Sequence, residues 1–486
     1  MKIVSLLSLL VNGLIEAEEK FYSDPKDLYS LEKATKATTD AVAAQFMSVV
    51  LSSMDEQIRK SSVRMERYNV QRIRKRMLVS SVGDLIFDCT LYRRKGEKKG
   101  GYVSLLPQMI GLDKHERFTE EAEVLLLIEA LKTSYAEAAR VLPSKQQITK
   151  TTVENKVHGI AEEMPLKDPE EVKSVDYLFV EADEDHVAEQ HGDQTKPEEN
   201  GSFISKLVYV YENKKDAKGY ADRKELANKF YFSGLYPGTE GNAKLWNKVQ
   251  AYIDSNYDAD KLKRVFVSGD AAPWIKSGGN YLDKALFCAD KYHLMQYINH
   301  AAAQMKDEKD DVKNELWHLL YSKKKKAKKR FDDYTARMLA SAEKTKSIDE
   351  LRTYVLGNWA AVRRTLRNEL VNGCSAESHV SHVLSDRLSS RPMGWSQRGA
   401  DRMSKIRCFE RNYGRENMIE LVRYSREIRN GSRTGTDDEI INKISMREIM
   451  TEHYDQARSY IERLQATIPG MTARKTASIR TQLRLL

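Results

Sequence analysis

The sequence predicts an α/β fold in which a sheet-containing core is flanked by helical regions. Apolar runs rich in Val, Phe and Tyr recur between residues 177 and 290, whereas the flanking segments carry apolar positions at three- and four-residue spacing. In the apolar part, three strands follow one another before strands alternate with helices, which is typical of an α/β layout. The 486 residues are too many for one compact core.

Composition narrows the class of protein further. The chain is 41% hydrophobic and 31% charged with a formal net charge of +9, and a basic balance alone is weak evidence for a polyanion partner. The four cysteines lie far apart, which argues against a zinc cluster or a disulfide framework and favours a cytoplasmic location. No run reaches the ~20 apolar residues of a membrane span. The apolar start leads into charged residues without a cleavage site, which favours a first helix over a signal peptide.

The N-terminal third divides into helical and strand-forming parts. Ala41–Arg76 contains neither Pro nor Gly and is predicted to be helical, whereas Met77–Tyr92 favours strands and predicts a small hairpin. A capping box at Ser134–Glu137 predicts a helix that ends near Pro143, and a second helix is expected over Thr149–His158.

These two helices are either an ordinary helical hairpin, which the pattern alone favours, or a helix-turn-helix DNA reader. In a DNA reader, the side chains facing the groove would be Lys150, Thr151, Thr152, Asn155 and Lys156.

The predicted core contains five strands, and a helix over Asn242–Ile253 precedes the fourth. Three strands, then helix, strand, helix, strand, helix is also the element order of the ribonuclease H fold. The predicted strands are Tyr177–Asp183, Phe203–Tyr211, Lys229–Ser233, Arg264–Asp270 and Ala285–Asp290.

Two aspartates close apolar strands of this core. Asp183 ends the first strand and Asp270 ends the fourth, where Gly269 permits a close approach of the backbone. Carboxylates held at strand ends suit Mg²⁺, although an aspartate in this position more often caps a helix or turns the chain. Glu181 and Asp185 share the parity of Asp183 on an extended strand, and the local pattern does not choose among the three.

A third acid follows on a later helix. Gly373 interrupts the preceding helix and Ser375 is placed to cap the next one, so that Glu377 falls in its first turn. His379 and His382 would share a face of that helix, but two histidines at this spacing are more often surface or packing residues than metal ligands.

Together these segments resemble the sequence blocks of the ISLre-type insertion-sequence transposases. The resemblance runs from near Ser80 to about Arg407, and its blocks occur in the family's order. They are Val180–Val187, Ser268–Ile275, Ala289–Leu294, Cys374–Val380 and Leu388–Ser396.

The resemblance implies a DNA transposase with a ribonuclease H-like catalytic domain that cuts the ends of its element and transfers them to target DNA. Two Mg²⁺ ions, or Mn²⁺ in their place, would be held by Asp183, Asp270 and Glu377. The 107 positions from Asp270 to Glu377 (377 − 270) agree with the family's helical insertion. Asp290 and His293 resemble an Asp/Cys-x-x-His element whose histidine lies near a DNA phosphate.

Further contacts and alternatives follow from this assignment. Arg391 and Trp395 would contact a phosphate and a base, although a core tryptophan is at least as common. The Lys323–Arg330 run would bind phosphates or form a solvated helix face.

The expected partner is double-stranded DNA, bound by a homodimer or larger assembly. The alternatives are a nuclease or resolvase that cuts without joining, and a domesticated, non-catalytic DNA-binding protein.

The sequence thus predicts seven regions along the chain. They are a helical region (1–76), a β-hairpin module (77–112), a helix-turn-helix-like region (115–165), the first part of the core (172–300), a helical insertion (301–368), the last part of the core (369–400) and a basic helical region (401–486).

Overall fold

A computed structural model confirms the α/β class and contains a mixed sheet. The residues that it describes are 2–96, 101–113, 115–190, 201–216, 224–371, 373–391 and 393–431. They divide into two compact units. Unit 1 is drawn from Met1–Leu127, Ala136–Val153 and Arg426–Leu486, and unit 2 from Ile128–Tyr135 and Glu154–Ser425.

The helices are not long and apolar enough, anywhere in the described ranges, to cross a membrane. In chain order they are α1 (Lys2–Ser23), α2 (Leu28–Lys60), α3 (Ser62–Arg67), α4 (Leu105–Met109), α5 (Glu120–Ala130), α6 (Tyr135–Ala138), α7 (Lys150–His158), α8 (Gly238–Asn256), α9 (Pro273–Lys276), α10 (Lys291–Ala302), α11 (Lys309–Tyr321), α12 (Ala327–Ser341), α13 (Lys346–Gly357), α14 (Trp359–Arg367), α15 (Ala376–Val380), α16 (Asp386–Leu388), α17 (Gln397–Tyr413) and α18 (Met418–Asn430).

The strands form three sheets. They are β1 (Tyr68–Ser80), β2 (Gly83–Arg94), β3 (Tyr177–Ala188), β4 (Ser202–Tyr211), β5 (Asn213–Asp216), β6 (Lys224–Ala227), β7 (Phe230–Gly234), β8 (Arg264–Gly269) and β9 (Ala285–Ala289). β1 pairs with β2, β5 pairs with β6, and the other five strands form the main sheet.

Unit 2 is built on this five-stranded sheet, whose spatial order is β7-β4-β3-β8-β9. β4 runs antiparallel to both of its neighbours, whereas β3, β8 and β9 are parallel to one another. One face packs on α8, where Val180 and Val267 lie in a buried cluster with Trp246. Side chains alternate between faces along a strand, so Glu181, Asp183 and Asp185 of β3 lie on the opposite face.

The predicted helical insertion is four separate helices, α11 to α14. Its apolar positions converge on a second buried cluster that includes Leu316, Phe331, Leu351 and Val362. The insertion therefore has a hydrophobic core of its own, which also takes in Leu294 and Ile298 of α10.

Two sequence predictions in the N-terminal third are wrong. The helical prediction for 1–76 fails from Tyr68 onward, where β1 begins and pairs antiparallel with β2. The absence of Pro and Gly permits a helix without selecting one, and pairing with the buried strand β2 outweighs local propensity. The helix expected from Ser134 to near Pro143 is only Tyr135–Ala138, whereas the helix expected over Thr149–His158 is present as Lys150–His158.

Candidate active site

Three aspartates, Asp183, Asp270 and Asp290, lie level with one another where three adjacent strands reach the end of their parallel pairing. β8 and β9 end there, whereas β3 continues to Ala188 because β4 still pairs with it, so the prediction that Asp183 ends its strand is wrong. The ladder between β3 and β8 pairs Glu181 with Ser268, and Asp183 and Asp270 each lie two residues further along. The ladder between β8 and β9 places Asp290 level with Asp270 in the same way. Because the three strands run in the same direction, the fold collects these carboxyl groups at one end of the parallel part of the sheet.

Asp183 is half-buried and has little hydrogen bonding. Within the described ranges, its carboxylate accepts one hydrogen bond, from the backbone N–H of Glu184 at 2.8 Å. Burial raises the pKa of Asp183 to about 6, and the negative charge of Asp270 adds to this effect, whereas the Glu184 hydrogen bond and His293 oppose it. The Asp183 carboxylate therefore retains capacity to bind a cation.

Glu181 is buried, and its oxygen atoms are fully engaged. The hydroxyl groups of Tyr209 and Tyr211 both donate to it, the latter at 2.7 Å. Ser375 donates to the same carboxylate from its backbone N–H at 2.7 Å and from its hydroxyl at 3.0 Å. Glu181 therefore holds the chain at the start of α15.

Asp185 is also buried and engaged. It accepts hydrogen bonds from the hydroxyl of Ser385 at 3.1 Å and from that of Ser389 at 2.8 and 3.0 Å. Of the three acids that the sequence pattern could not separate, Glu181 and Asp185 are thus saturated by the protein, and Asp183 is the one that remains available.

The backbone around Asp270 is strained and closely packed. Its carboxylate accepts the N–H of Ala272 at 2.8 Å, and Ala271 between them has a φ of 73°, in a region that alanine rarely adopts. A Cβ at Gly269 would lie 2.7 Å from the carbonyl oxygen of Ala182, so the close approach expected at this glycine is present.

Asp290 caps α10 and lies beside His293. Its side chain is buried and accepts the N–H of Tyr292 at 2.8 Å, while His293 Nε2 lies 3.8 Å from its Oδ2. Burial raises the pKa of Asp290, and the Tyr292 hydrogen bond and His293 oppose that effect. The sequence analysis named Asp290 only as part of the Asp/Cys-x-x-His element and not as a metal ligand, although it ends an apolar strand as Asp270 does.

Glu377 is the second residue of α15, and its side chain is exposed. In the part of the chain that the structure describes, no group of three or more His, Cys, Asp or Glu side chains is placed to hold a metal ion. The structure therefore brings Asp183, Asp270, Asp290 and His293 to one edge of the sheet, but Glu377 does not complete a three-carboxylate set with the two aspartates.

His379 packs on the sheet, in agreement with the packing alternative. Its ring lies 4.4 Å from that of Tyr209, and its Nδ1 lies 2.8 Å from the hydroxyl of Tyr231. Burial lowers the pKa of His379 to about 4. His382 is exposed, so these two histidines do not form a pair.

Comparisons with known proteins identify the family. The model of the "Uncharacterised protein family (UPF0236)" matches residues 25–424. The chain belongs to the UPF0236 family. A UPF0236 protein of Caldanaerobacter subterraneus subsp. tengcongensis is 30% identical over 434 residues, which cover 89% of this chain and 88% of the relative. A second protein of that organism is 32% identical over 380 residues, covering 78% and 77%.

Among solved structures, the UPF0236 chain has distant similarity to a transposase complex. It is the Drosophila P element transposase strand transfer complex, with a TM-score of 0.23 and 12% identity over 73% of this chain and 88% of that one.

The residues predicted to contact DNA after Glu377 lie in different surroundings. Arg391 is exposed, whereas Trp395 is buried, with its ring 5.9 Å from Tyr135 and the Arg387 guanidinium 4.6 Å above it. The burial of Trp395 favours the core alternative, because a base cannot stack on a ring that is covered by protein.

On α7 of the UPF0236 chain, Val153 and Val157 are buried and the polar side chains lie outward. The exposed ones are Lys150, Thr151 and Asn155, and the half-buried ones are Thr152 and Lys156. Their role in reading DNA remains a prediction. The basic C-terminal region beyond residue 431 lies outside the described residues.

Proposed function

We propose that this UPF0236 protein is a DNA transposase that cuts the ends of its element and joins them to target DNA. The observation that carries the proposal is the pair Asp183 and Asp270, which lie level where the parallel pairing of β3 and β8 ends. In the described part of the chain, the Asp183 carboxylate accepts no hydrogen bond from another side chain. The order β7-β4-β3-β8-β9, with β4 alone reversed, supports a ribonuclease H-like core.

The sequence resemblance to ISLre-type transposases supports the same proposal. So does the name of one UPF0236 relative, which joins eleven locus designations of a single strain. An element that copies or moves itself leaves repeated genes of this kind in its host genome.

The donor set suits Mg²⁺, or Mn²⁺ in its place. Asp183 and Asp270 are hard oxygen donors whose like charges repel each other, so a cation between them would relieve that repulsion. If bound there, two such ions would make water or a sugar hydroxyl nucleophilic and would offset charge on the phosphate. Glu377 would have to approach the aspartates to serve as the third ligand. Asp290 would orient His293 toward a DNA phosphate.

The partner in this proposal is double-stranded DNA, both at the terminal repeats of the element and at the target. Because two ends must be cut and joined together, the proposed active assembly is a homodimer or larger.

The test uses purified protein and labelled duplex DNA that carries the terminal repeats flanking its gene, with Mg²⁺ or with EDTA. We expect Mg²⁺-dependent nicking at the repeat boundary, followed by joining. Asp270→Asn should lose both by at least about a hundredfold, because one metal ligand is removed. Asp260→Asn, which changes an exposed aspartate of the same unit, should keep both.

Two other results would replace the proposal. Cutting without joining would identify a nuclease or resolvase. Specific binding without cutting, in either Mg²⁺ or Mn²⁺, would identify a non-catalytic DNA-binding protein.

A further inference from the structure

A strongly cationic strand of unit 1 plays no part in the candidate active site. From Arg64 to Arg76 the chain has six Lys or Arg residues and one acid, Glu66. Most of these cations lie on β1, where seven consecutive residues, Asn69 to Lys75, are exposed. Such a run of exposed residues is unusual for a strand whose partner, β2, is largely buried.

The outer edge of β2 is covered by helix α2. The hydroxyl groups of Ser48 and Ser52 accept the backbone N–H groups of Ile86 and Asp88 at 3.0 and 3.1 Å. Asp55, one helical turn further along, accepts the N–H of Thr90 at 2.8 Å. Polar side chains of a helix thus take the place of a neighbouring strand along this edge.

In the described part of the chain, the outer edge of β1 has no such hydrogen bonds over its exposed stretch. The backbone hydrogen bonds of this edge lie at its far end, where Val79 exchanges them with Arg117 and Thr119 at 2.8 and 2.9 Å. An open edge invites pairing with another protein chain, and charged side chains oppose such pairing. The cations of β1 therefore argue against a protein strand as its partner.

The cations of β1 fall into two groups. Arg76 donates to the carbonyl groups of Asp113 and Glu116, and Lys75 forms an ion pair with Asp88 at 2.8 Å. The side chains of Arg72 and Arg74, in contrast, have no hydrogen-bonding or ionic partner in the described part of the chain.

Arg72 and Arg74 are two positions apart, so they share a face and are about 6.6 Å apart along the strand. Edge protection alone does not require two neighbouring unpaired guanidinium groups. A guanidinium binds phosphate oxygens in a bidentate manner, and a two-stranded β-ribbon is narrow enough to enter the major groove of DNA. The charge, the exposure and the shape of β1 therefore match a DNA backbone.

We propose that strand β1 binds the phosphate backbone of double-stranded DNA through Arg72 and Arg74. This proposal rests on the proposed function only because DNA is also the substrate of the proposed transposase. The β1 site itself lies wholly within unit 1. It adds affinity that does not depend on base sequence, because phosphate contacts position a protein without reading bases.

The test measures binding of the full chain to a fluorescein-labelled 30-base-pair duplex of arbitrary sequence by anisotropy across a NaCl series. EDTA is present so that no cleavage contributes. We expect Arg72→Ala/Arg74→Ala to weaken binding about tenfold at moderate salt and to reduce the slope of log K against log [NaCl] by about 1.8 (two contacts at about 0.9 each). Arg72→Lys/Arg74→Lys should keep the slope.

The matched control is Lys33→Ala/Arg117→Ala, which removes two exposed charges from the same unit. It should bind nearly as the wild type does. An equal loss in this control would overturn the proposal in favour of net charge alone, and so would an unchanged Arg72→Ala/Arg74→Ala variant. Tighter binding of single-stranded RNA than of the duplex, or a homodimer that this variant disrupts without any effect on DNA affinity, would also overturn it.

Failure of this site and failure of the proposed function give different results. A wild type that cuts and joins DNA while Arg72→Ala/Arg74→Ala binds normally refutes the β1 site alone. A wild type that binds the duplex through β1 but never cuts it supports the β1 site and refutes the transposase proposal. Thermal melting of each variant excludes unfolding as the cause of any loss.

Discussion

Among single residues, Asp183 differs from its neighbours in what surrounds its carboxylate. Glu181 and Asp185 have hydroxyl and N–H donors around them, whereas Asp183 has one backbone donor and the nearby charge of Asp270. A half-buried carboxylate with so few donors costs stability in the absence of a cation. Such a cost is expected where a side chain serves binding rather than folding.

Asp183→Asn should therefore make the metal-free protein more stable at neutral pH. The pKa of Asp183 is raised from its ordinary value near 4 to about 6. Folding therefore favours the protonated carboxyl group, and the stability that depends on it is fully present below pH 4 and is lost as pH rises through 6. In EDTA at pH 7.5 we expect the variant to be more stable by about 2 kcal/mol, with the difference shrinking toward pH 4. Thermal melting measured across this pH range tests the prediction.

Asp260→Asn is the control, because that side chain is exposed. A lower melting temperature for Asp183→Asn than for wild type at pH 7.5 would contradict the assignment. Mg²⁺ should raise the melting temperature of the wild type and leave that of Asp183→Asn unchanged.

The sequence pattern placed three acids on one face of β3, but it did not show which of them lacks hydrogen-bond donors from other side chains. The two-residue repeat of a strand places Glu181, Asp183 and Asp185 together, and it contains no information about partners. Those partners come from distant parts of the chain, such as Tyr211 for Glu181 and Ser389 for Asp185. Only the folded structure brings them together, so the strand pattern alone could not show which of the three carboxylates lacks such donors.

Among the elements, the segment from α15 to α16 is tied to β3 at both ends. Glu181 holds Ser375 at its start, and Asp185 holds Ser385 and Ser389 at its end. A π-helical turn at Ser381–Ser385 joins the two short helices. Two buried carboxylates that flank Asp183 on the same strand therefore set the position of the helix that bears Glu377.

Glu181→Ala should loosen the start of α15. It leaves the hydroxyl groups of Tyr209 and Tyr211 and the N–H of Ser375 without their acceptor, at a cost of about 3 kcal/mol. We expect a lower urea midpoint and faster amide hydrogen exchange over residues 374–380. In the proposed reaction, cleavage should require more Mg²⁺, since Glu377 is held less firmly.

Glu181→Gln keeps one acceptor oxygen and should lose roughly half as much stability. Glu170→Ala, at an exposed glutamate of the same unit, should leave the exchange rates unchanged. Wild-type exchange over residues 374–380 in Glu181→Ala would show that Glu181 does not position α15.

The sequence predicted a strand well where both faces of that strand are buried, and poorly where the strand is exposed. The apolar run of β8 is recognisable because this strand lies between β3 and β9 and is covered on both faces. β1 has a polar, basic sequence with seven exposed residues, so it carries no strand pattern of its own. Its conformation is imposed by pairing with β2, which local sequence does not encode.

In the molecule as a whole, unit 1 is assembled from three separate stretches of chain. The last of these begins at Arg426, whose side chain is buried against the first stretch. Arg426 donates to Glu123 at 2.6 and 3.1 Å and to the carbonyl group of Phe118 at 3.1 Å. Glu123 is completely buried, so this buried ion pair connects the last stretch of unit 1 to the first.

Arg426→Ala should destabilise unit 1 by about 3 kcal/mol, because in the described part of the chain it removes the nearer of two cations from the buried Glu123 carboxylate and leaves only Arg429, 4.0 Å away. Arg426→Met/Glu123→Leu should recover much of that loss, since an apolar pair of similar volume has no charge to desolvate. Urea unfolding measures the size of the effect, and amide hydrogen exchange in β1 and β2 assigns it to unit 1. Arg117→Ala, an exposed arginine of the same unit, is the control. A double variant less stable than Arg426→Ala would mean that packing volume, rather than the buried charge, determines how the third stretch of chain is held in unit 1.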